Sequence, residues 1–195
     1  MKKKIKIIAI GLAAVVTLAV IASATKMLQS YISPSDANYP TLKNGDRFFT
    51  SILIKPERFS FITYRSNTPE YGLHKRVHRI CGIEGDKIEI INGDLFVNNK
   101  LADKELSLAH NYVFPGSELA KIEEEITLND LTTQFLASDS VMAVLPVQTV
   151  EKLKLKVRRF ITPVDEKNEL IYNLYGQPWN QDNFGPIIIP KDKLF

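Results

Sequence analysis

The sequence is poor in the residues that build metal and cofactor sites. It has one cysteine, Cys81, which excludes an internal disulfide and a cysteine-rich zinc site. Among its three histidines, His74 and His110 have no partner at metal-ligand spacing, so no metal and no other cofactor is expected. Excess charge is scarce too. The net charge is +3, and it sits at one end. Residues 1–30 hold five of the 25 basic residues and no acid, so the other 20 are outnumbered by 22 acidic residues. A slightly acidic body removes the ordinary electrostatic case for nucleic-acid binding, and no nucleic-acid partner is expected.

What is present points to β structure. Ten prolines, nine glycines, ten phenylalanines and seven tyrosines argue against a helical bundle. The most regular stretch is HRICGIEGDKIEIINGDLFVNNK, residues 78–100. Ile88 and Ile90 alternate with Lys87 and Glu89, which predicts a strand over 87–91. Asn92-Gly93-Asp94 supplies a tight turn, because Asn and Gly tolerate positive φ. Leu95, Phe96 and Val97 return as the second strand. A hairpin alone is marginal in water, so a further strand is needed. Residues 75–80 are the expected feeder, carrying His78 and Arg79.

The N-terminus is a different material. Lys2, Lys3, Lys4 and Lys6 precede an uncharged apolar run over 7–24. At about 1.5 Å per residue this run just crosses a bilayer core of about 30 Å. The excess of lysine on its N-terminal side predicts a cytoplasmic N-terminus and an extracytoplasmic body, a single-pass cell-membrane protein with the lipid bilayer as partner. Ala22-Ser23-Ala24 also fits a cleavage site, so a removed signal peptide is the rival reading. Both readings export the chain.

Between anchor and hairpin, residues 29–40 are broken by Pro34 and Pro40 and should run extended. Strands are expected over 47–54, with Phe48, Phe49, Ile52 and Ile54 available for burial, and over 59–64. A loop is expected over 67–72. Beyond the hairpin the pattern weakens. Residues 119–126 fit helix or strand. Asn129 or Asp130 caps an expected helix over 131–137. KLKLKV at 152–157 alternates like a strand, and FGPIIIP at 184–190 is a short one. The resulting division is a basic segment 1–6, the anchor 7–24, a β domain 25–102, an inserted mixed subdomain 103–162, and a return to the β domain over 163–195, where the chain is either truncated or ends as it stands.

Three stretches carry a resemblance. Residues 34–46 read PSDANYPTLKNGD, residues 78–86 read HRICGIEGD, and residues 92–100 read NGDLFVNNK. Together with the anchor they resemble bacterial signal peptidase I, a membrane serine peptidase with a Ser/Lys dyad. Its motifs run P-S-x-S-M-x-P-T-L-x-x-G-D, then K-R-V-x-G-x-P-G-D, then N-G-x-L-Y-V-N-G-K. The resemblance implies a signal-peptidase-like, mainly β fold with one N-terminal transmembrane helix and a mixed α/β insertion. It also implies three site positions. The nucleophile position is Ala37, the general-base position is His78, and the position that helps stabilise the oxyanion is Ser35. A methyl group cannot form an acyl-enzyme, so Ala37 is inert. Histidine for lysine is a tolerable change, since neutral imidazole accepts a proton near pH 7. The family's closing G-D-N-R and D-S-R segments do not occur after Phe184.

The favoured expectation is a catalytically silent relative that keeps a groove for extended peptides, signal peptides of exported proteins among them. Two alternatives stay open. One is an active peptidase that removes signal peptides, with Ser35 attacking through His78 or with Lys75 as base. The other is an exported structural protein without enzymatic activity.

Overall fold

The computed structural model describes residues 2–25, 27–68, 72–103, 106–129, 131–136 and 139–191. Helix α1, Lys2–Ala24, makes almost no contact with the rest. Its Lys3–Ile21 stretch has a mean hydropathy of 2.3 and no buried residue, so it is long and apolar enough to cross a membrane. Among the described residues the remainder is strand-rich and divides into four sheets.

Strands β1 (Leu28–Ile32) and β2 (Arg47–Ser51) form an antiparallel pair directly after α1. β2 is shorter than the expected 47–54. Ile52, Leu53 and Ile54 leave the ladder and stand 71–72% exposed, and Phe49 is 69% exposed. Apolar side chains expected to be buried thus cluster at the end nearest α1, where Leu28 pairs with Ser51.

Strands β3 (Phe61–Thr68) and β4 (Gly72–Arg79) make a long hairpin. The expected loop over 67–72 is therefore strand at both ends, since the Asn67–Leu73 and Thr68–Gly72 pairs continue the ladder. Residues 69–71 lie outside the described residues.

The expected core hairpin is β5 (Lys87–Ile91) and β6 (Asp94–Val97), with β7 (Lys100–Leu101) added to one side and β12 (Phe184–Ile188) to the other. Asn92 at φ 51° and Gly93 at φ 78° form the tight turn. A side chain at 93 has no room either, because its Cβ would come within 2.7 Å of Arg159 Nη2. Ile88, Leu95 and Val97 are the buried face of this sheet. Asp86 closes its entry. The buried carboxylate accepts from Arg58, from the Ile83 N–H at 2.9 Å and from Asn98 Nδ2 at 2.8 Å.

The fourth sheet is built from β8 (Ala109–Pro115), β9 (Thr133–Leu136), β10 (Ser140–Pro146) and β11 (Arg158–Arg159), ordered β11-β8-β10-β9. Val141, Ala143 and Leu145 alternate inward along β10. They meet Ile122 and the half-buried Leu119 and Ile126 of helix α2 (Leu119–Asn129), which follows one 3-10 turn. The i, i+3, i+7 spacing of those three residues gives the helix its apolar stripe and settles the open reading of 119–126.

Two expectations fail here. The helix expected over 131–137 is strand β9, for residues 133–136. The run TTQF is β-branched and aromatic, and it completes an available edge of β10, which outweighs a capping signal. Asp130 and Ala137 lie outside the described residues. The strand expected from KLKLKV is the end of helix α3 (Val147–Lys152) and a turn. Lys154 sits at φ 49°, so the alternation comes from a turn that drops Leu155 into the core.

Helix α4, Glu169–Tyr175, is capped by the Asn168 side chain on the Ile171 N–H and ended by Gly176 at φ 67°. Asn180, 1% exposed, organises the loop after it, donating to Pro163 O and Glu166 O and accepting from the Asp182 and Asn183 N–H groups. Arg159 joins the two four-stranded sheets. From β11 it reaches Asp94 Oδ1 at 2.5 Å and Gly93 O at 2.6 Å in the β5–β6 turn.

Leu145 is fully buried at the centre of the larger core. Leu145→Ala is expected to cost about 3 kcal/mol, read as a lower urea midpoint with an unchanged slope.

Candidate functional site

The site is built where the segment 33–42 crosses the edge of β4. Ser33 is 1% exposed and anchors the segment to the chain at 45–46. Its N–H donates to Asp46 O at 2.8 Å and its carbonyl accepts from the Gly45 N–H at 2.9 Å. The Ser33 hydroxyl donates to Ser35 O at 3.0 Å. The Tyr39 N–H then donates to Asp36 O at 2.8 Å, closing a turn around Ala37. Two side chains clamp that turn from outside. Arg79 donates to Thr41 Oγ1 at 2.9 Å, and the Tyr39 hydroxyl donates to Glu125 Oε1 of α2. Burial, then the adjacent Glu125 carboxylate, keep the Tyr39 phenol protonated well above its ordinary range.

The contact that places the turn against the sheet is made by Asn38. Its Nδ2 donates to the Val77 carbonyl at 3.0 Å. Ile80 directs its N–H and C=O to Ser60 and Phe59 on the β3 side. Backbone groups alternate along a strand, so those of Lys75, Val77 and Arg79 turn to the other edge. That edge faces the segment 33–38.

Between turn and edge lies a groove of about 970 Å³. Ser35, Ala37 and His78, the three positions singled out from the sequence, all line it, together with Tyr31, Pro34 and Val77. Ser35 Oγ accepts the Ala37 N–H at 3.4 Å, which leaves the Ser35 proton for another acceptor. Ala37 brings no heteroatom in its side chain. Lys75 lines the groove as well, but its ammonium lies 4.7 Å from the centre of the Tyr31 ring and 3.3 Å from the Tyr31 hydroxyl. Lys75 and His78 are three residues apart on β4 and so project from opposite faces.

His78 has a partner that the sequence did not disclose. Tyr64 of β3 sits diagonally across the hairpin, and its hydroxyl lies 2.8 Å from His78 Nδ1. The tautomer in which Nδ1–H donates to the Tyr64 oxygen leaves Nε2 free to accept a proton, as a base requires. The His78 ring is open to the groove on one side. Loss of water on the other, then the Arg76 charge, lower its pKa below the ordinary 6.5. Tyr64, Asn38 and Glu125 were all missed by sequence reasoning. Only the Tyr64–His78 pair had a readable signal, namely the register of a hairpin centred near residue 70.

His78 is therefore expected to titrate below 6.5 by NMR, and Arg76→Gln to raise the midpoint. The unfolded chain takes up the proton first as pH falls. Stability linked to His78 is thus full above pH about 6.5, declines as pH falls below it, and levels off below the folded midpoint. His78→Gln should flatten that part of a pH–stability profile.

The comparisons fit this geometry. The model of the signal peptidase, peptidase S26 family matches residues 4–195. Signal peptidase I S of Bacillus subtilis (strain 168) is 31% identical over 78 residues, covering 38% of this chain and 40% of that protein. Thylakoidal processing peptidase 1, chloroplastic, of Arabidopsis thaliana is 32% identical over 87 residues, covering 38% of this chain and 26% of that protein. The chain thus spans less than half the length of either relative. No solved structure matches it. With a family match across nearly all its residues and a strand-rich body behind one apolar helix, the chain belongs to the signal peptidase, peptidase S26 family.

Proposed function

We propose that this chain is a membrane-anchored signal peptidase relative that holds extended peptides, signal peptides of exported proteins among them, without cleaving them. The observation that carries this reading is Ala37. It stands at the motif's nucleophile position, on the turn that forms one wall of the groove. No acyl-enzyme forms on a methyl group. The rest of the groove supports binding. A strand edge offers backbone groups at Lys75, Val77 and Arg79, and pockets between turn and sheet receive alternate side chains. Ser35 lines the groove, and a free hydroxyl proton there supports a role as donor to a peptide carbonyl.

α1 and the exposed Ile52, Leu53 and Ile54 beside its end support a membrane setting. The lysines before α1 favour a cytoplasmic N-terminus and an extracytoplasmic groove in the cell membrane.

A second reading rests on Ser35 and His78 lining one groove. Ser35 as nucleophile displaces the attacking oxygen by two residues, about 6–7 Å along an extended chain. Catalysis is ordinarily intolerant of about 1 Å. The binding reading is therefore preferred.

The purified chain in detergent is expected to bind a fluorescent signal peptide and to leave it intact. Val77→Pro removes one N–H from the groove edge and should weaken binding about tenfold. Cleavage that disappears in Ser35→Ala would overturn this reading in favour of the second.

A further inference from the structure

A cavity of about 280 Å³ opens between the β1–β2 pair and the β3–β4 hairpin. Two cations line it, Arg65 and Lys75. They are direct partners in the β3–β4 ladder and so share one face of the hairpin. Like charges so placed destabilise a strand pair, and the cavity wall holds no carboxylate to relieve them. The Arg65 guanidinium has no hydrogen bond or ion pair among the described residues. The Lys75 ammonium meets Tyr31 alone among them, 3.3 Å from its hydroxyl and 4.7 Å from the centre of its ring.

The surplus of positive charge extends over all four strands. β1 to β4 carry Arg47, Arg65, Lys75, Arg76 and Arg79, and no aspartate or glutamate. Glu70 lies outside the described residues. Residues 31–195 as a whole hold 20 basic residues against 22 acidic ones, so the charge is sorted rather than general. Arg76 and Arg79 are committed locally, Arg76 to His74 Nε2 and Arg79 to Phe59 O and Thr41 Oγ1. Arg65 and Lys75 keep donors for an anion.

The rest of the wall says which anion fits. Gln29, Thr50 and Thr63 add uncharged polar groups, and Ile52 with the Tyr31 and Tyr64 rings adds apolar surface. Ile52 is 71% exposed and leads to the equally open Leu53 and Ile54. Gln29 stands five residues after Ala24, the end of α1, a distance the chain cannot stretch beyond about 18 Å. The cavity therefore lies close to where a bilayer crossed by α1 presents its headgroups. Its volume is at the lower limit of ligand pockets, with room for a headgroup but not for acyl chains, which would lie along residues 52–54.

We propose that this cavity binds the phosphodiester headgroup of an anionic membrane lipid, with Arg65 and Lys75 donating to the phosphate. The inference rests on the membrane setting above and is independent of peptide binding. Tyr31, Thr63 and Lys75 also line the His78 groove, so a bound headgroup holds one flank of that groove at the membrane surface.

The test uses the full-length chain in dodecyl maltoside, with phosphatidylglycerol or phosphatidylcholine of matched acyl chains. Native mass spectrometry reads the lipid retained per chain, and thermal melting reads protection. Phosphatidylglycerol should be retained about tenfold better than phosphatidylcholine, and it alone should raise the melting temperature. Arg65→Gln should lower that retention about fivefold. Arg65→Glu places opposite charges in the pair with Lys75. Without lipid it should melt no lower than the unaltered chain, and it should retain the two lipids equally. Lys100→Gln, an equal loss of charge on β7, should keep the preference. Equal retention of the two lipids by the unaltered chain would overturn the site, as would a preference that survives Arg65→Glu or falls as far in Lys100→Gln. Inorganic phosphate that displaces phosphatidylglycerol at equal concentration would overturn the lipid in favour of a free anion. A Glu-containing peptide that does so would overturn it in favour of a peptide side chain. Flotation with phosphatidylcholine vesicles reports the membrane setting separately. A chain that floats leaves that setting standing whatever the headgroup result, and a chain that does not float overturns both.

Discussion

One side-chain amide fastens the turn of the site to its sheet. Asn38 Nδ2 on the Val77 carbonyl fixes the turn that carries Ala37 against the open edge of β4. A hydrogen bond of this kind contributes only about 1 kcal/mol, so it cannot hold the turn alone. It acts with Ser33 on the chain at 45–46, Arg79 on Thr41 and Tyr39 on Glu125. The four contacts reach the turn from three places, the chain at 45–46, β4 and α2, which leaves it little freedom to rotate. The Asn38 bond also has a cost for binding. It occupies a carbonyl that an added peptide strand would otherwise use, so a bound peptide must pair around it or displace it.

The distant parts of the fold serve this arrangement at one remove. The sheet around β8 and β10 has its own core and supports α2, which presents Glu125 to Tyr39. Arg159 ties that sheet to the turn of the core hairpin, and Asp103 beyond the hairpin reaches back to Leu95. A cavity beside Ala37 lies where these pieces meet. Ala37, His78 and the hydroxyl of Ser35 line one groove.

How much of this could be read from sequence depended on how local the cause was. The β5–β6 hairpin was legible because Asn92 and Gly93 dictate the turn and the isoleucines dictate the face. The apolar helix was legible from length alone. Positions 37 and 78 were singled out through the flanking P-S and P-T-L of a familiar motif and through the R-x-x-G that follows 78, and both line one groove. The misreadings had nonlocal causes. Thr133 and Phe135 became strand because β10 offered an edge, and nothing within 131–137 announces that edge. Leu153 and Leu155 mimic a strand because the left-handed Lys154 turn lies between them. Ile52 and Ile54 look like core residues to any pattern that does not know an exposed apolar helix ends nearby. Helix α4 shows the reverse case, since Asn168 and Gly176 bracket it with ordinary local caps.

The account turns on whether any hydroxyl in the groove can attack. Intact-mass spectrometry after incubation with a serine-selective fluorophosphonate measures that most directly, because it reports a covalent bond whatever the peptide sequence preferred. The account predicts an unchanged mass for the whole chain under conditions that fully label a peptidase carrying serine at the corresponding position. A stoichiometric increment mapped to Ser35, and lost in His78→Ala, would contradict it.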